Sequence, residues 1–594
     1  MENPRLKPDI LHWDRALSHP AVAAILLAVL CLGLHHSALS GGWRYDDGAH
    51  LFFATLYSPL QYFFVPEIMR EQSWANFTPW NAFFYEIGLP LFGLNPAGHY
   101  AHLLFVLWLT SVATFFLLRL WLTSLSALMG AILFLAMPAT GAIGQMLMTG
   151  HYAYGLLFSV LTFYFFARGV RENRIYFSLV AAGFYALACW SKELYVPIIA
   201  ILIFLPESNW KVRFRHTWPA MLVAAAYIAY RLIVHGGIGG YGIPLDINLL
   251  TVSDTWMKFF SNLFGGGWVW KLIFAYVVFS IIIAITIQNQ RINLLFLLSW
   301  VVVIFIPILP VLQIGLSDDF SRFLFFISWL FAVLLAWLTN ASRLHTVILV
   351  IVVTFFVFPQ QETISRIANT AKMMEEQSRF LLENSEEKKL LPLYFNNLSK
   401  LDSIRSVNFL YNSYNSPDLI RNEDKLSELG DEIGSKVFQF SDSCQCIQQM
   451  GKERYRNHVN SFHSQLAAGA DQFLSVALEI ENRGFRKLLR WKFSSSSGSE
   501  GNFILYINEY GMIPLPSSGE MSFGSDITVT NSLKQMFHVY VHLVSPEGWI
   551  ARSPLLTINT TITNQISWSG KSAIDSSWQE KENKNLKSNS SLRE

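Results

Sequence analysis

The amino-acid sequence predicts an α-helical polytopic membrane protein with about eleven transmembrane helices. A soluble region follows, which combines an α/β segment with a β-sandwich-like segment. Only 14% of the 594 residues are charged, whereas soluble chains carry roughly 25%. Between residues 20 and 360, apolar runs recur near the length of ~20 residues that crosses a bilayer. From residue 361 the chain turns polar and mixed, which indicates a water-exposed part.

The first predicted span, residues 20–40, follows a stretch with three basic residues. No pattern of small residues marks a cleavage site before the next loop, so we interpret this span as an uncleaved signal anchor. The later predicted spans lie near residues 99–118, 124–141, 153–168, 175–190, 194–207, 217–235, 268–288, 292–312, 323–340 and 344–359.

Lysine and arginine are unevenly distributed between the loops, and this predicts the orientation of the chain. If the N-terminus is cytoplasmic, the cytoplasmic loops are short and basic, and one of them holds Lys211, Arg213 and Arg215. The opposite loops are longer and less basic, as the positive-inside rule requires. The longest, residues 41–97, is rich in aromatic residues and is expected to form short helices lying in the interface. An odd number of spans places the C-terminal domain outside the cytoplasm.

We predict four segments along the chain. Residues 1–360 form the transmembrane catalytic domain, and residues 361–465 form an amphipathic helix and a mixed α/β segment. Alternating apolar residues between turn signals predict a β-rich domain over residues 466–565. The polar residues 566–594 are expected to be a disordered tail.

An acidic pair, Asp46 and Asp47, follows the first span, with His50 three residues beyond. Charge at the edge of a bilayer is unfavourable unless it is used or paired. Adjacent carboxylates suit acid–base catalysis and metal binding. One carboxylate can accept a proton while a neighbouring group or a cation interacts with the other carboxylate. The alternative interpretation is a pair that caps a helix in a hydrated loop.

Two cations form further candidate sites. Lys192, beside Glu193, lies between the fifth and sixth predicted spans, where a lysine needs an anionic partner: Glu193, a first-loop aspartate or a lipid phosphate. The alternative is a lysine whose chain extends to the interface. Arg322, before the tenth predicted span, suits bidentate binding of phosphate or carboxylate, unless it is an interfacial arginine neutralised by Asp318 or Asp319.

Three histidines, His99, His102 and His151, lie at the external ends of predicted spans. Each alone is more often an interfacial histidine than a ligand. Under the predicted orientation, however, the acidic pair, the lysine and the late arginine all fall on one face of the membrane. Incidental charges would fall on both faces, so this convergence indicates one shared site.

Four stretches of the sequence resemble the GT-C superfamily of polyprenyl-phosphate-sugar-dependent glycosyltransferases. They are YDDGAHL, TPWNAFFYEIGLPLFGLNPAGHYAHLL, ACWSKEL and DDFSRFLF. They occur in the expected order, and they are most similar to the transmembrane O-mannosyltransferases with tetratricopeptide repeats. Protein O-mannosyltransferases and the aminoarabinose transferases that modify lipid A are more distant. The chain departs from the repeat-containing type, because no period of 34 residues follows the membrane part.

The resemblance implies a role for four of the candidates. Asp46 is the general base, and Asp47 orients the acceptor or a metal. Lys192 and Arg322 stabilise the phosphate of the donor. The remaining expected contacts to donor or acceptor are made by His50, His99, His102, His151 and Glu193.

The predicted function is transfer of a sugar from a polyprenyl-phosphate-linked donor to an acceptor hydroxyl, with inversion, by a multi-pass protein of the bacterial inner (plasma) membrane. The acceptor is a glycan, a lipid or a protein, and Mg²⁺ or Mn²⁺ is a candidate cofactor. The net charge of +2 and the absence of a basic cluster exclude nucleic acid as a partner. Two alternatives stay open: a flippase or transporter for lipid-linked glycans, and a polymerase or ligase of the O-antigen type.

Overall fold

The computed structural model describes residues 19–43, 46–73, 76–235, 263, 271, 322–339, 364–365, 368–369, 393–394, 419–420, 426, 437–441, 446–483, 486–495, 501–507, 511–524, 536–559 and 562–573. The chain divides into two compact units. The first contains residues 1–65, 76–233 and 244–376, and the second contains residues 66–75, 234–243 and 377–594.

Helices make up nearly all of the described chain before residue 340. They are α1 (Pro20–His35), α2 (Asp47–Leu56), α3 (Pro59–Phe64), α4 (Pro66–Gln72), α5 (Pro79–Phe92), α6 (Pro96–Leu118), α7 (Ser124–Ala136), α8 (Pro138–Gly144), α9 (Gly150–Glu172), α10 (Ile175–Ser191), α11 (Ile198–Ile203), α12 (Trp210–His235) and α13 (Phe325–Thr339). Proline occupies the first position of several of these helices, where its missing N–H has no helical partner to lose.

Four helices among the described residues are long and apolar enough to cross a membrane, and the count is five if the bent pair α7–α8 forms one span. The four are Pro20–Ser40, Pro96–Leu118, Leu147–Glu172 and Trp210–His235. Three shorter apolar helices are Ile175–Ser191, Glu193–Ile203 and Arg322–Trp337. Apart from residue 271, the predicted spans near 268–288, 292–312 and 344–359 lie outside the described residues, so the total of about eleven stays a prediction.

The predicted span over residues 124–141 is broken. Helix α7 ends at Ala136, and α8 continues at an angle of 59° after Met137. Pro138 causes the break, because it has no N–H for a helical bond and its ring excludes the preceding turn from a regular helix. The hydroxyl of Thr140 donates to the carbonyl of Phe134 at 2.7 Å, which satisfies an acceptor at the end of α7.

The helix predicted over residues 217–235 begins earlier, at Trp210. It therefore includes Lys211, Arg213 and Arg215, which the sequence analysis assigned to a loop. Arg213 is buried and donates to the carbonyl of Leu205. The Leu205 carbonyl and the nearby carboxylate of Glu207 compensate the positive charge of Arg213. The helix can therefore include this basic segment before its apolar residues.

The long aromatic loop, residues 41–97, contains the short helices α2, α3 and α5 of the first unit. Helix α2 packs against α5, and α5 packs against α6 and α9. The ring of Phe63 on α3 makes edge contacts with Trp80 on α5 at 5.9 Å and Trp190 on α10 at 6.4 Å. These aromatic contacts hold the loop helices on the bundle.

Helix α13 packs in the core of the first unit through Trp329, which is fully buried. Its indole nitrogen donates to the hydroxyl of Thr114 on α6 at 2.8 Å, and its ring stacks on Phe163 of α9 at 5.8 Å. The hydrogen bond satisfies a polar atom within an apolar bundle. It thereby anchors α13, the helix that follows Arg322, to α6.

Tyr195 lies four residues after the C-terminal end of α10. Its ring packs directly against Gly155 of α9. A Cβ atom on Gly155 would lie only 2.1 Å from the ring. Its hydroxyl donates to the carbonyl of Tyr152 at 2.7 Å. Gly155 is thus required by a close approach of two helical segments.

The second unit contains a small mixed sheet. Its strands are β1 (Leu393–Tyr394), β2 (Leu419–Ile420), β3 (Phe438–Ser441) and β4 (Cys446–Gln449), in the order β2-β1-β3-β4. Strand β1 is parallel to both β2 and β3, and β4 is antiparallel to β3. Most of residues 361–390, where the amphipathic helix is predicted, lie outside the described residues.

Two antiparallel sheets form a sandwich in the second unit. Their strands are β5 (Phe473–Arg483), β6 (Arg486–Ser495), β7 (Asn502–Ile507), β8 (Gly511–Leu515), β9 (Ser518–Gly524), β10 (Met536–Val544), β11 (Ile550–Arg552), β12 (Leu556–Asn559) and β13 (Asn564–Lys571). One sheet has the order β13-β5-β6-β9, and the other has the order β11-β10-β7-β8 with β12 beside β10. Alternate residues of β5, such as Leu474 and Val476, share one buried core with Leu505 and Val541 of the opposite sheet.

Helix α14 (Lys452–Ala468) connects the mixed sheet to the sandwich and packs on β11 through Phe462 and Leu466. Gly469 ends this helix, where a Cβ atom would lie 2.0 Å from the carbonyl oxygen of Ile550. The predicted fold class is confirmed: the described chain has apolar helices first and a β-rich region at its C-terminal end.

Candidate active site

The acidic pair lies at the start of helix α2. Asp46 is the residue before the helix and is exposed, and Asp47 is the first helical residue and is fully buried. Among the residues that the structure describes, the side chain of Asp46 makes no capping hydrogen bond to α2. The geometry therefore does not support the helix-capping interpretation for Asp46, whose carboxylate faces solvent.

Asp47 is held from the opposite helix of the loop. The hydroxyl of Tyr85 on α5 donates to its Oδ1 at 2.6 Å. Burial, followed by the charge of Asp47, raises the pKa of Tyr85 well above its usual 10. Tyr85 thus keeps its proton and serves as a fixed donor to the Asp47 carboxylate.

His50 lies one helical turn beyond the acidic pair. Its Nε2 is 2.8 Å from the amide nitrogen of Asn81 on α5, and its ring stacks near that of Tyr85 at 5.9 Å. Burial lowers the pKa of His50 below its usual 6.5, and the charge of Asp46 opposes this effect. Because the Asn81 amide donates to Nε2, His50 is a neutral ring that carries its proton on Nδ1.

Lys192 and Glu193 follow the C-terminal end of α10. The side chain of Lys192 is only 13% exposed, and its Nζ lies 3.9 Å from Oε2 of Glu193. Glu193 also forms an ion pair with Arg231 of α12 and accepts a hydrogen bond from the backbone N–H of Phe77 at 2.6 Å. Glu193 is therefore shared between two cations and a backbone donor.

Burial lowers the pKa of Lys192 to about 8 from its usual 10.5. Glu193 acts in the opposite direction, and the charges of Arg322 and Arg231 add to the lowering. Lys192 also lies 5.7 Å from the centre of the Tyr152 ring. A partly buried lysine with two cationic neighbours is well placed to attract an anion.

Arg322 lies three residues before the first residue of α13, in a short 3-10 turn. Its guanidinium is 5.2 Å from the centre of the Phe323 ring, and its Nη1 is 3.8 Å from the sulfur of Met146. The rings of Phe323 and Tyr152 are 6.3 Å apart, edge to face. Tyr152 thus lies between Lys192 and the segment that carries Arg322. Asp318 and Asp319, the predicted neutralising partners, lie outside the described residues.

His151, at the start of α9, interacts electrostatically both with the acidic loop and with the two predicted cations. It is 6% exposed, and it interacts electrostatically with Lys192, His50 and Arg322. The charges of Lys192, His50 and Arg322 thus all act on His151. They come from different segments of the first unit: His50 from α2, Lys192 from the residue after α10, and Arg322 from the segment before α13.

His99 and His102 take part in packing between α5, α6 and α9. The Nε2 of His99 lies 3.0 Å from the carbonyl of Gly93, and its ring occupies the space beside Gly88. The Nε2 of His102 lies 2.5 Å from the hydroxyl of Tyr154, and its ring stacks on Phe84. Their described hydrogen bonds are thus to neighbouring helices rather than to the acids and cations of the site.

Four further residues of the site were not predicted from the sequence: Asn81, Tyr85, Tyr152 and Arg231. Arg231 could have been predicted, because an arginine within an apolar helix needs a charged or polar partner. The other three are uncharged residues within aromatic stretches, and nothing in their local sequence distinguishes them from packing residues.

Within the described ranges, no group of three or more His, Cys, Asp or Glu side chains is placed to hold a metal ion. Asp46 and Asp47 supply the carboxylate oxygens that Mg²⁺ prefers, but Mg²⁺ demands six oxygens in an octahedral arrangement. Because Mg²⁺ usually takes one or two protein carboxylates and completes its shell with water and substrate phosphate, Asp46 and Asp47 are the described residues that would hold such an ion.

No protein-family model matches the chain, and no curated protein matches it. Among solved structures, it is similar to the archaeal oligosaccharyltransferase AglB from Archaeoglobus fulgidus in the apo form, with 10% identity and a TM-score of 0.43 over 84% of this chain and 76% of that chain. The same protein in complex with an inhibitory peptide and a dolichol-phosphate gives 11% identity and a TM-score of 0.40 over 85% and 76%. ArnT from Cupriavidus metallidurans gives 12% identity and a TM-score of 0.41 over 72% and 94%.

At TM-scores of 0.43 or lower, these similarities transfer no activity to this chain.

Proposed function

We propose that this protein is a membrane glycosyltransferase, which transfers a sugar from a polyprenyl-phosphate-linked donor to an acceptor hydroxyl on the extracytoplasmic face. The observation that supports the proposal is the hydrogen bond of 2.6 Å that Glu193, the neighbour of Lys192, accepts from Phe77 in the loop that carries the exposed Asp46. On the other side, the ring of Tyr152 lies 5.7 Å from Lys192 and 6.3 Å from the ring of Phe323, the residue after Arg322.

The cations suit the phosphate of the donor. Lys192 and Arg322 repel each other, and Glu193, the carboxylate beside Lys192 among the described residues, is shared with Arg231. A phosphate bound between two such cations removes the repulsion and gains charge-assisted hydrogen bonds. The same contacts stabilise the charge that develops on the phosphate when it leaves.

Asp46 suits the role of general base better than Asp47 does. The carboxylate of Asp47 is buried and accepts a hydrogen bond from Tyr85. Asp46 is exposed at the start of α2, where an incoming hydroxyl can reach it. A general base must lie within hydrogen-bond distance of the proton that it removes.

The proposed reaction is a single displacement. The acceptor hydroxyl gives its proton to Asp46, and its oxygen forms a bond to the anomeric carbon of the sugar. The bond from this carbon to the phosphate oxygen breaks, and polyprenyl phosphate leaves with the electron pair. The anomeric configuration is inverted once.

Asp46→Asn tests the proposal, because this change removes the base and keeps the shape. Purified protein in lipid nanodiscs is supplied with polyprenyl-phosphate hexoses and pentoses, and a cell-envelope fraction provides acceptors. Mass spectrometry follows the formation of polyprenyl phosphate and of the glycosylated product. Wild type should form both products. The variant should lose transfer by a factor of about 100 or more, as loss of a general base does, while binding of polyprenyl phosphate stays within twofold of wild type.

The matched control is Glu86→Gln, since Glu86 is a loop carboxylate that bonds to the hydroxyl of Tyr62 at 3.0 Å. The control should retain transfer. If Asp46→Asn transfers sugar within a few-fold of wild type, Asp46 is not the base. If the wild type instead moves labelled donor across vesicles without an acceptor, the protein is a flippase and the enzyme proposal fails.

A further inference from the structure

Glu193 links two cations, Lys192 and Arg231, to the loop that carries the acidic pair. Its carboxylate is shared by Arg231 of α12, the backbone N–H of Phe77 and, at 3.9 Å, Lys192. Phe77 lies two residues before α5, which carries Asn81 and Tyr85. One side chain therefore contacts the donor-binding lysine and the segment that leads into the loop helix.

We propose that Arg231 and Glu193 act as a positioning pair: Arg231 draws the Glu193 carboxylate away from full pairing with Lys192, and Glu193 fixes the loop at Phe77. This inference rests on the proposed function, because it explains how Lys192 is kept available for the donor phosphate. Neither residue is assigned contact with the reacting atoms.

The distances support this division of Glu193. Arg231 makes the shorter, hydrogen-bonded ion pair with Oε1, and the Phe77 N–H bonds to the same oxygen. Lys192 is left with Oε2 at 3.9 Å, which is beyond hydrogen-bond distance. All three ionic side chains are largely shielded from solvent, with exposures of 11% for Arg231, 13% for Lys192 and 23% for Glu193. Solvent screening between them is therefore weak.

The charge state of Lys192 depends on everything that faces it. Among the described residues, these groups are Glu193 beside it, Arg231 on α12, His151 and Tyr152 on α9, and Arg322 before α13. Glu193 favours the charged lysine, and the two arginines disfavour it. Removing either member of the positioning pair should thus change the titration of Lys192, in opposite directions.

The test measures binding of polyprenyl phosphate to the full-length protein in nanodiscs between pH 6 and pH 10. In Glu193→Gln, Lys192 loses the anion beside it, so the loss of binding at alkaline pH should begin at lower pH than in wild type. In Arg231→Gln, Glu193 is released to pair with Lys192. Binding at pH 7 should weaken by about tenfold, as expected when a competing ion pair forms, and the alkaline loss should move to higher pH.

The matched control is Arg168→Gln, which breaks the exposed ion pair of Arg168 with Glu172 near the opposite end of α9. It should leave the pH profile unchanged. If both site variants weaken binding without moving the alkaline limb, or move it in the same direction, the positioning pair is refuted and the two residues act only in folding.

Hydrogen exchange at residues 76–85 provides a readout that does not depend on ligand. Glu193→Ala should accelerate exchange of the Phe77 amide, whereas Glu193→Gln, which keeps an acceptor oxygen, should not. Unchanged exchange in Glu193→Ala overturns the loop contact. If wild type fails to bind polyprenyl phosphate while this exchange difference is present, the proposed donor is wrong and the link between Glu193 and the loop stands.

Discussion

Tyr85 on α5 donates a hydrogen bond of 2.6 Å to Asp47 on α2, and both side chains are fully buried. This bond joins the two loop helices at the residue next to the proposed base. Asp47 is held inward, and Asp46, the residue before the same helix, is exposed. The acidic pair is thus oriented from a helix more than thirty residues further along the chain.

Tyr85→Phe should reduce transfer and keep donor binding. The change removes one hydrogen bond to a buried carboxylate, which contributes about 1.5–3 kcal/mol, or about 10- to 100-fold in rate if it is needed to orient α2. Rates of transfer and binding of polyprenyl phosphate are measured side by side. Tyr62→Phe is the control, because Tyr62 is also buried and bonds to Glu86. Equal rates for the two variants would contradict the role of Tyr85.

The apo protein should become more stable as pH rises from about 8 to about 10.5. The pKa of Lys192 is about 8 in the folded protein, against its usual 10.5, so the unfolded chain binds more protons in this window. Stability rises with pH wherever the unfolded state holds more protons. Thermal unfolding in nanodiscs checks this, with Lys192→Met as the reference that should lack the contribution. A wild-type curve parallel to that of Lys192→Met would exclude the lowered pKa.

Donor binding should respond to pH in the opposite direction. Binding of a phosphate favours the protonated lysine, so affinity for polyprenyl phosphate should fall as pH rises above 8, the pKa of Lys192. Above this pH the loss should approach tenfold per pH unit, since each unit reduces the protonated fraction by that factor. Titration of binding in wild type and in Lys192→Arg, which stays charged, tests the assignment. A similar fall in Lys192→Arg would attribute it to another group.

Gly155→Ala should destabilise the first unit. The added Cβ would lie 2.1 Å from the buried ring of Tyr195, and overpacking of this kind costs about 1–3 kcal/mol. Gly183→Ala on α10 is the control, because a Cβ there meets nothing within 4 Å and alanine favours a helix. Melting temperatures are compared in detergent. A stable Gly155→Ala protein would show that Tyr195 can move without loss.

Labelling should place Asp46 and Lys211 on opposite sides of the membrane. Cys31 and Cys189 are buried, and all four native cysteines are replaced before a single cysteine is introduced at position 46 or 211. A membrane-impermeant maleimide should label position 46 in right-side-out vesicles and position 211 only after permeabilisation. Labelling of both positions from outside would reject the predicted orientation.

Charged residues in apolar surroundings carried most of the information about the site. Asp46, Asp47, Lys192 and Arg322 were predicted because charge near a bilayer is unfavourable without a partner. In the structure, the charges of His50, Lys192 and Arg322 all act on His151. Their catalytic roles stay predictions.

The uncharged members of the site could not be predicted, because their roles depend on which helix they face. Asn81 and Tyr85 belong to an aromatic stretch that also packs against α6 and α9, so the local sequence does not separate contact with His50 or Asp47 from packing. The break at Pro138 is different. Pro138 itself could have predicted this break. Because residues 124–141 are continuously apolar, they were nevertheless predicted as one unbroken span.

The exposure of Asp46 beside the buried Asp47 bears on how the protein would be reset between turnovers. A proton captured by Asp46 can pass directly to bulk water, so the carboxylate is regenerated without any opening of the helices. A proton captured by Asp47 would instead be enclosed with Tyr85. The order of the two acids along the chain therefore sets which one is able to work repeatedly.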